Sequence, residues 1–106
     1  MKQYNKLVRD RVPAMLLASG HKTVSKTLMG KELLAALRAK IDEELAEYDA
    51  APDDDQAAGE LADLLEVIIA LARQRGYDEA RIGKLRETKT LERGAFGMGY
   101  FLIKAE

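Results

Sequence analysis

The sequence predicts an all-α fold, an antiparallel helical bundle with a short extended or hairpin segment at its C-terminal end. Three observations predict it. Apolar residues recur at steps of three and four over two long stretches, a proline and an acidic triplet separate those stretches, and the closing residues lose the helical period. At 106 residues with 47% hydrophobic content, the chain suits one domain spanning residues 1–106.

The elements follow in order. After the polar lead-in YNKLVRD, Pro13 suits a first helical turn and Gly20 a stop, which predicts a short helix from about Val12 to Ser19. From His21 to Thr27 the β-branched residues and the missing helical period predict a loop. Leu34, Leu37, Ile41, Leu45 and Tyr48 then form one apolar stripe on a helix running from about Gly30 to Ala51, where Pro52 ends it. Asp53, Asp54 and Asp55 supply the N-cap and first-turn charge of the next helix, favourable at its positive dipole end. Leu61, Leu64, Leu65, Ile68 and Leu71 or Ala72 are its stripe, and Gly76 closes it. The short link predicts an antiparallel hairpin. A weaker helix is expected from Asp78 to about Glu92, carried by Tyr77, Ile82, Leu85 and Leu91. In RGAFGMGYFLIKAE, glycines at 94, 97 and 99 punctuate the chain, and Tyr100 to Ile103 favour a short strand or hairpin.

Charge is strongly segregated behind a net value of -1. Of the 18 acids, eleven fall between Ile41 and Ala72 with no base among them, which leaves seven acids elsewhere against all 17 bases. A plain nucleic-acid binder would not set its basic surface beside so concentrated an acidic one, so no stable nucleic-acid binding is expected. The pattern suits a ligand that takes cations at the acids and bases around its own negative charge, as a metal-bound phosphate ester does. The chain has no cysteine, hence neither a disulfide framework nor a thiolate metal site, and its longest apolar run, Val67 to Ala72, falls short of the roughly 20 residues a membrane span requires. A cytoplasmic protein without a membrane partner is the expectation.

Glu44 and Glu47 stand three apart on the first long helix, as Glu60 and Asp63 do on the second. Residues at i and i+3 share a helix face, so each pair can present two carboxylates to one point. Both pairs flank their apolar stripes, and antiparallel packing would bring them together. Four converging carboxylates repel one another unless cations neutralise them, and hard oxygen ligands select magnesium or manganese. Spacing alone still favours a solvated acidic face, since glutamate is a good helix former and such pairs are common.

Other motifs carry less. An EF-hand counted from Asp53 needs Gly at 58 and Glu at 64, where Ala58 and Leu64 stand. His21 has no metal-ligating neighbour and reads as a surface residue. The GAFGMG glycines read as turn chemistry, and no Walker-type phosphate loop is present.

EELAE (Glu43 to Glu47) followed by GELAD (Gly59 to Asp63) resembles the EExxE and ExxD signature of the all-α nucleoside triphosphate pyrophosphohydrolases, the MazG-like and phosphoribosyl-ATP pyrophosphohydrolase-like superfamily. The opening YNKLVRDRVP and the later RETKTLERGAFGMGYFL resemble one small-protein branch, so the likeness spans nearly the whole chain and favours the metal site over the solvated face. It implies a magnesium-dependent house-cleaning hydrolase, with manganese as a possible substitute, that splits a nucleoside triphosphate between the α and β phosphates into monophosphate and pyrophosphate. Glu44, Glu47, Glu60 and Asp63 fall on its metal-ligand positions, with Glu43 and Glu44 as catalytic candidates. Glu43 either orients water, serves a second metal or holds a nearby base; Glu66 is a weaker candidate.

Substrate charge calls for bases. Lys6, Arg9 and Arg11 in the opening motif and Lys89 and Arg93 before the glycine segment are the candidates, with Lys40 one turn before Glu44 either approaching the site or neutralising it. For each, an ordinary solvated charge or a pairing with an acid is the alternative. Tyr4, Tyr48, Tyr77, Phe96, Tyr100 and Phe101 are stacking or core residues, and the sequence does not choose among them. Metal-dependent nucleotide binding without turnover, and an acidic interaction hairpin with no ligand, are the other function classes. Long apolar stripes in a small chain, together with the resemblance, predict a homodimer or homotetramer.

Overall fold

The computed structural model describes residues 2–106, which form four helices and, among those residues, no strand. α1 covers Val12–Ala18, α2 Gly30–Ala50, α3 Asp54–Gln74 and α4 Glu79–Arg93. The expected helices are all present within a residue or two of their expected limits. Residues 21–29 are irregular, as their composition predicts.

Local chemistry accounts for the boundaries. Pro13 occupies the first turn of α1. Asp53 caps α3 by accepting the Gln56 backbone N–H at 2.8 Å, and Asp78 caps α4 by accepting that of Arg81 at 2.8 Å. α1 and α3 both end on a glycine with positive φ, Gly20 at 87° and Gly76 at 84°. In each case the residue beyond the glycine donates back to a carbonyl inside the helix, His21 to Leu16 and Tyr77 to Ala72, both at 3.0 Å. These are paired C-terminal caps that the left-handed conformation allows, and a Cβ would strain it.

α2 and α3 pack along each other as the expected hairpin, while α3 touches α4 lightly and α1 packs on none of the other helices. The seam between α2 and α3 departs from expectation. Of the α2 stripe only Leu37 is fully buried, and on α3 the buried residue is Val67, which lies between the predicted stripe positions. Leu45, Tyr48, Leu61, Leu65 and Ile68 remain 40–59% exposed. The interior positions near the turn go instead to carboxylates: Glu44 is 4% exposed, and Glu60 and Asp63 are half-buried. An apolar stripe wider than one neighbouring helix can cover leaves part of itself outside.

The expected C-terminal strand or hairpin does not form. In residues 95–106 the one backbone hydrogen bond is a turn, from the Gly99 N–H to the Phe96 carbonyl at 3.2 Å. A strand requires a ladder partner, and none of the described residues supplies one. Leu91, expected on the apolar side of α4, is exposed as well.

The chain's radius of gyration is 17.7 Å, against about 13 Å for a compact domain of this length. It exposes 9777 Å², against about 5,900 Å² for a folded monomer of its mass.

Removing the α3 cap tests the local account. Asp53→Ala should cost about 1 kcal/mol, lowering Tm by about 4–8 °C in a thermal melt followed by circular dichroism, whereas Asp54→Ala, which caps nothing, should have a smaller effect.

Candidate functional site

The hairpin brings the two predicted carboxylate pairs together near the turn, with Glu44 buried, Glu60 and Asp63 half-buried and Glu47 exposed. α2 contributes Glu43, Glu44 and Glu47, and α3 contributes Glu60 and Asp63. Two groups of three have carboxylate oxygens within 4.8 Å of one another: Glu43 with Glu44 and Glu47, and Glu44 with Glu60 and Asp63. Glu44 belongs to both. The arrangement is therefore two triads sharing one buried glutamate, where the sequence led us to expect one set of four.

Hydrogen bonding separates the carboxylates into two kinds. Glu43 is claimed by bases: Lys6 Nζ donates to Oε1 at 3.0 Å and Lys40 Nζ to Oε2 at 3.1 Å. Burial alone would raise the Glu43 pKa, but the two lysines outweigh it and hold the carboxyl below its ordinary value. Lys6 is raised in return, chiefly by its hydrogen bond to Glu43 and against a smaller opposing effect of burial. The contacts to Lys6 and Lys40 match one of the three roles the sequence left open for Glu43, holding a nearby base.

Glu44 and Glu60 differ. Glu44 Oε2 and Glu60 Oε2 are both buried without a hydrogen-bond partner. Lys40 approaches the other side of Glu44, its Nζ lying 3.7 Å from Oε1. The Glu60 carboxyl is pushed up to about 7, first because a proton on it can bridge to Glu44 and Glu47, then by burial and by repulsion from the same two carboxylates. Acceptor-only groups facing one another lack a donor, and a buried acceptor left unpaired is costly. A proton relieves this partly. A divalent cation, which takes several oxygens at once, relieves it more fully.

The bases are brought in unevenly. Lys6 and Lys40 reach Glu43, and Arg9 donates to Asp63 with Glu66 Oε1 3.9 Å from its other terminal nitrogen. Residues 6–9 thus lie as a strap against the carboxylates, with Lys6 and Arg9 gripping opposite helices. Arg11, Lys89 and Arg93 make no ion pair or hydrogen bond to a carboxylate among the described residues. Sequence reasoning missed Asn5, which takes a positive φ of 46° beside Lys6. With Lys6, Leu7, Ala36, Ala39, Lys40 and Glu43 it lines a cavity of about 90 Å³ next to the site. The signal was its residue type, since asparagine tolerates this backbone conformation better than most.

Comparisons with known proteins add one relative and no family. No family model matches the chain, and no solved structure matches it. An uncharacterized protein of Mycolicibacterium smegmatis is 53% identical over 51 residues, which are 48% of this chain and 52% of that protein. The chain spans about half the length of this relative. None of the helices formed by the described residues is long and apolar enough to cross a membrane.

The raised Glu60 pKa sets a pH dependence. An ordinary glutamate releases its proton at 4.5 whereas folded Glu60 holds it to about 7, so between those values the folded chain binds more protons than the unfolded one and stability falls as pH rises. Glu43, whose folded pKa is lowered, has made its full contribution by the bottom of that window. In chelator, the protein should melt at lower temperature at about pH 7.5 than at about pH 5, and Glu60→Gln should flatten that difference in calorimetry.

Proposed function

We propose that this chain is a divalent-metal-dependent pyrophosphohydrolase acting on a nucleoside triphosphate, cleaving between the α and β phosphates to release a nucleoside monophosphate and pyrophosphate. The observation that carries the reading is Glu44, almost fully buried, with an unpaired oxygen, at the junction of two carboxylate triads. The likeness of EELAE and GELAD to the MazG-like signature supplies the reaction class.

The donor set fits magnesium, with manganese as a substitute. Glu44, Glu47, Glu60 and Asp63 offer hard oxygens, without nitrogen or sulfur, and two of those oxygens have no other partner. Bound there, the metal would reverse the local sign of charge, clamp phosphate oxygens and make bound water more acidic. The chain's own residues do the rest. Lys40 beneath Glu43 and Glu44 offsets their repulsion before a ligand arrives. Lys6 and Arg9, on a strap whose side chains are about half exposed, can turn from carboxylates to phosphates. There they would balance the charge that develops on departing pyrophosphate. The enzyme is proposed to work as a homo-oligomer, in keeping with the exposed leucines of α2 and α3.

A second reading, metal-dependent nucleotide binding without turnover, is favoured by one observation: Glu43, a candidate for activating water, is occupied by Lys6 and Lys40. The same experiment decides between the two. A panel of normal and damaged nucleoside triphosphates should yield monophosphate and pyrophosphate with magnesium and nothing with chelator; tight binding with no product over long incubation supports the binding module instead.

Variants refine this. Glu44→Gln should weaken manganese binding by at least about 10–100-fold, the loss typical of groups that support metal sites, read by calorimetry without nucleotide. Arg9→Gln should act in the opposite direction. It frees Asp63 from a half-exposed ion pair worth at most about 1 kcal/mol, so manganese affinity should rise by up to about fivefold while turnover falls.

A further inference from the structure

Residues 96–103 carry Phe96, Met98, Tyr100, Phe101, Leu102 and Ile103, each at least 76% exposed. Water covers an apolar run of this density at a large cost, and it forms no strand or helix that would turn the run inward. A second apolar surface lies elsewhere in the same chain. Leu45 and Tyr48 on α2 and Leu61, Leu65 and Ile68 on α3 stay 40–59% exposed although they belong to the hairpin's own apolar stripes.

We propose that these two surfaces cover each other between two copies of this chain, residues 96–103 of each copy lying across the α2–α3 face of the other. This rests on the homo-oligomer proposed above and names its contact. Three features favour a second copy over a foreign occupant. The first is area. The chain exposes 9777 Å², about 3,900 Å² more than a folded monomer of its mass should, and a standard interface takes only about 800 Å² from each partner. Reciprocal exchange of the tail uses that excess twice over, as a two-fold interface requires.

Charge is the second. Arg93 and Lys104 bracket the apolar run, whereas the hairpin from Ile41 to Ala72 carries only acids. A tail arriving from another copy brings Arg93 and Lys104 to a hairpin whose eleven acids outnumber the three bases, Lys6, Arg9 and Lys40, that reach them. That acidity also disfavours a bilayer, whose anionic headgroups would repel the hairpin beside the inserted tail. The third is the position of α4. Lys89 and Arg93 directly precede the tail and pair with no acid of their own chain among the described residues. Seating the tail on a second copy carries them toward that copy's carboxylates.

Single cysteines report the contact cleanly, because the natural chain has none. Full-length chains carrying Leu65→Cys and Phe101→Cys, mixed and treated with a short bis-maleimide, should join to each other in preference to either joining its own kind. The variant with Tyr100→Asp and Phe101→Asp together should sediment as a monomer at micromolar concentration with its helical circular dichroism intact, where the unaltered protein sediments as a dimer or larger. An oligomer that survives the double substitution, or that gives no 65-to-101 product, overturns the tail contact and leaves the oligomer standing. An unaltered chain that is monomeric, with its tail free or engaged by lipid vesicles, overturns both. Manganese binding by calorimetry is read on the same samples, so the metal reading stands or falls separately.

Discussion

Like charge confined between two helices is the constraint on which the other features depend. Glu44 points into the seam where α2 meets α3, facing Glu60 across it, and neither has a donor for its inner oxygen. Burying a carboxylate is costly, and burying two beside each other more so, unless a cation or a proton intervenes. The rest of the hairpin is arranged around that cost. Lys40 sits one turn earlier on α2, the strap brings Lys6 and Arg9 to the rim, and Glu60 holds a proton to about 7. A helix pair selected for stability alone would have placed leucines in these positions. That these carboxylates are inside while Leu45, Leu61 and Leu65 are outside is the strongest indication of function in the fold.

The strap and the carboxylates form one electrostatic unit whose parts come from opposite ends of the acidic imbalance. The bases that reach the acids come from the opening motif and from α2 itself, not from α4. In the proposed enzyme the same groups change partners. A base that neutralises a carboxylate in the absence of ligand is already within a side chain's length of any phosphate held there, so reorganisation is small. The half-exposed Lys6 and Arg9 are suited to such exchange because their ion pairs are weak.

Much of this is legible in the sequence. Helix limits followed from Pro13, Pro52, Asp53, Gly20 and Gly76, because each acts within a turn or so of itself, the prolines and glycines through the backbone and Asp53 through its capping carboxylate. The i, i+3 pairs followed from helix geometry in the same way. What could not be read was which residues share a seam. Val67 in place of Leu65, two triads in place of one set of four, and a C-terminal run with no ladder partner each depend on a second segment that no local pattern specifies.

The sequence by itself therefore determined the four helices, the aspartate cap of α3 and the glycine stops of α1 and α3, the acidic character of the hairpin and the carboxylates available to it, since all of these are short-range consequences of residue type and spacing. Tertiary structure alone decided that Glu44 is shared and unpaired, that Glu43 is held by Lys6 and Lys40, and that Arg9 reaches Asp63 from 54 residues away. Those outcomes depend on the rotation of one helix against another and on where the N-terminal strap lies. Rotation about a helix axis moves a side chain from seam to solvent without altering a single local propensity.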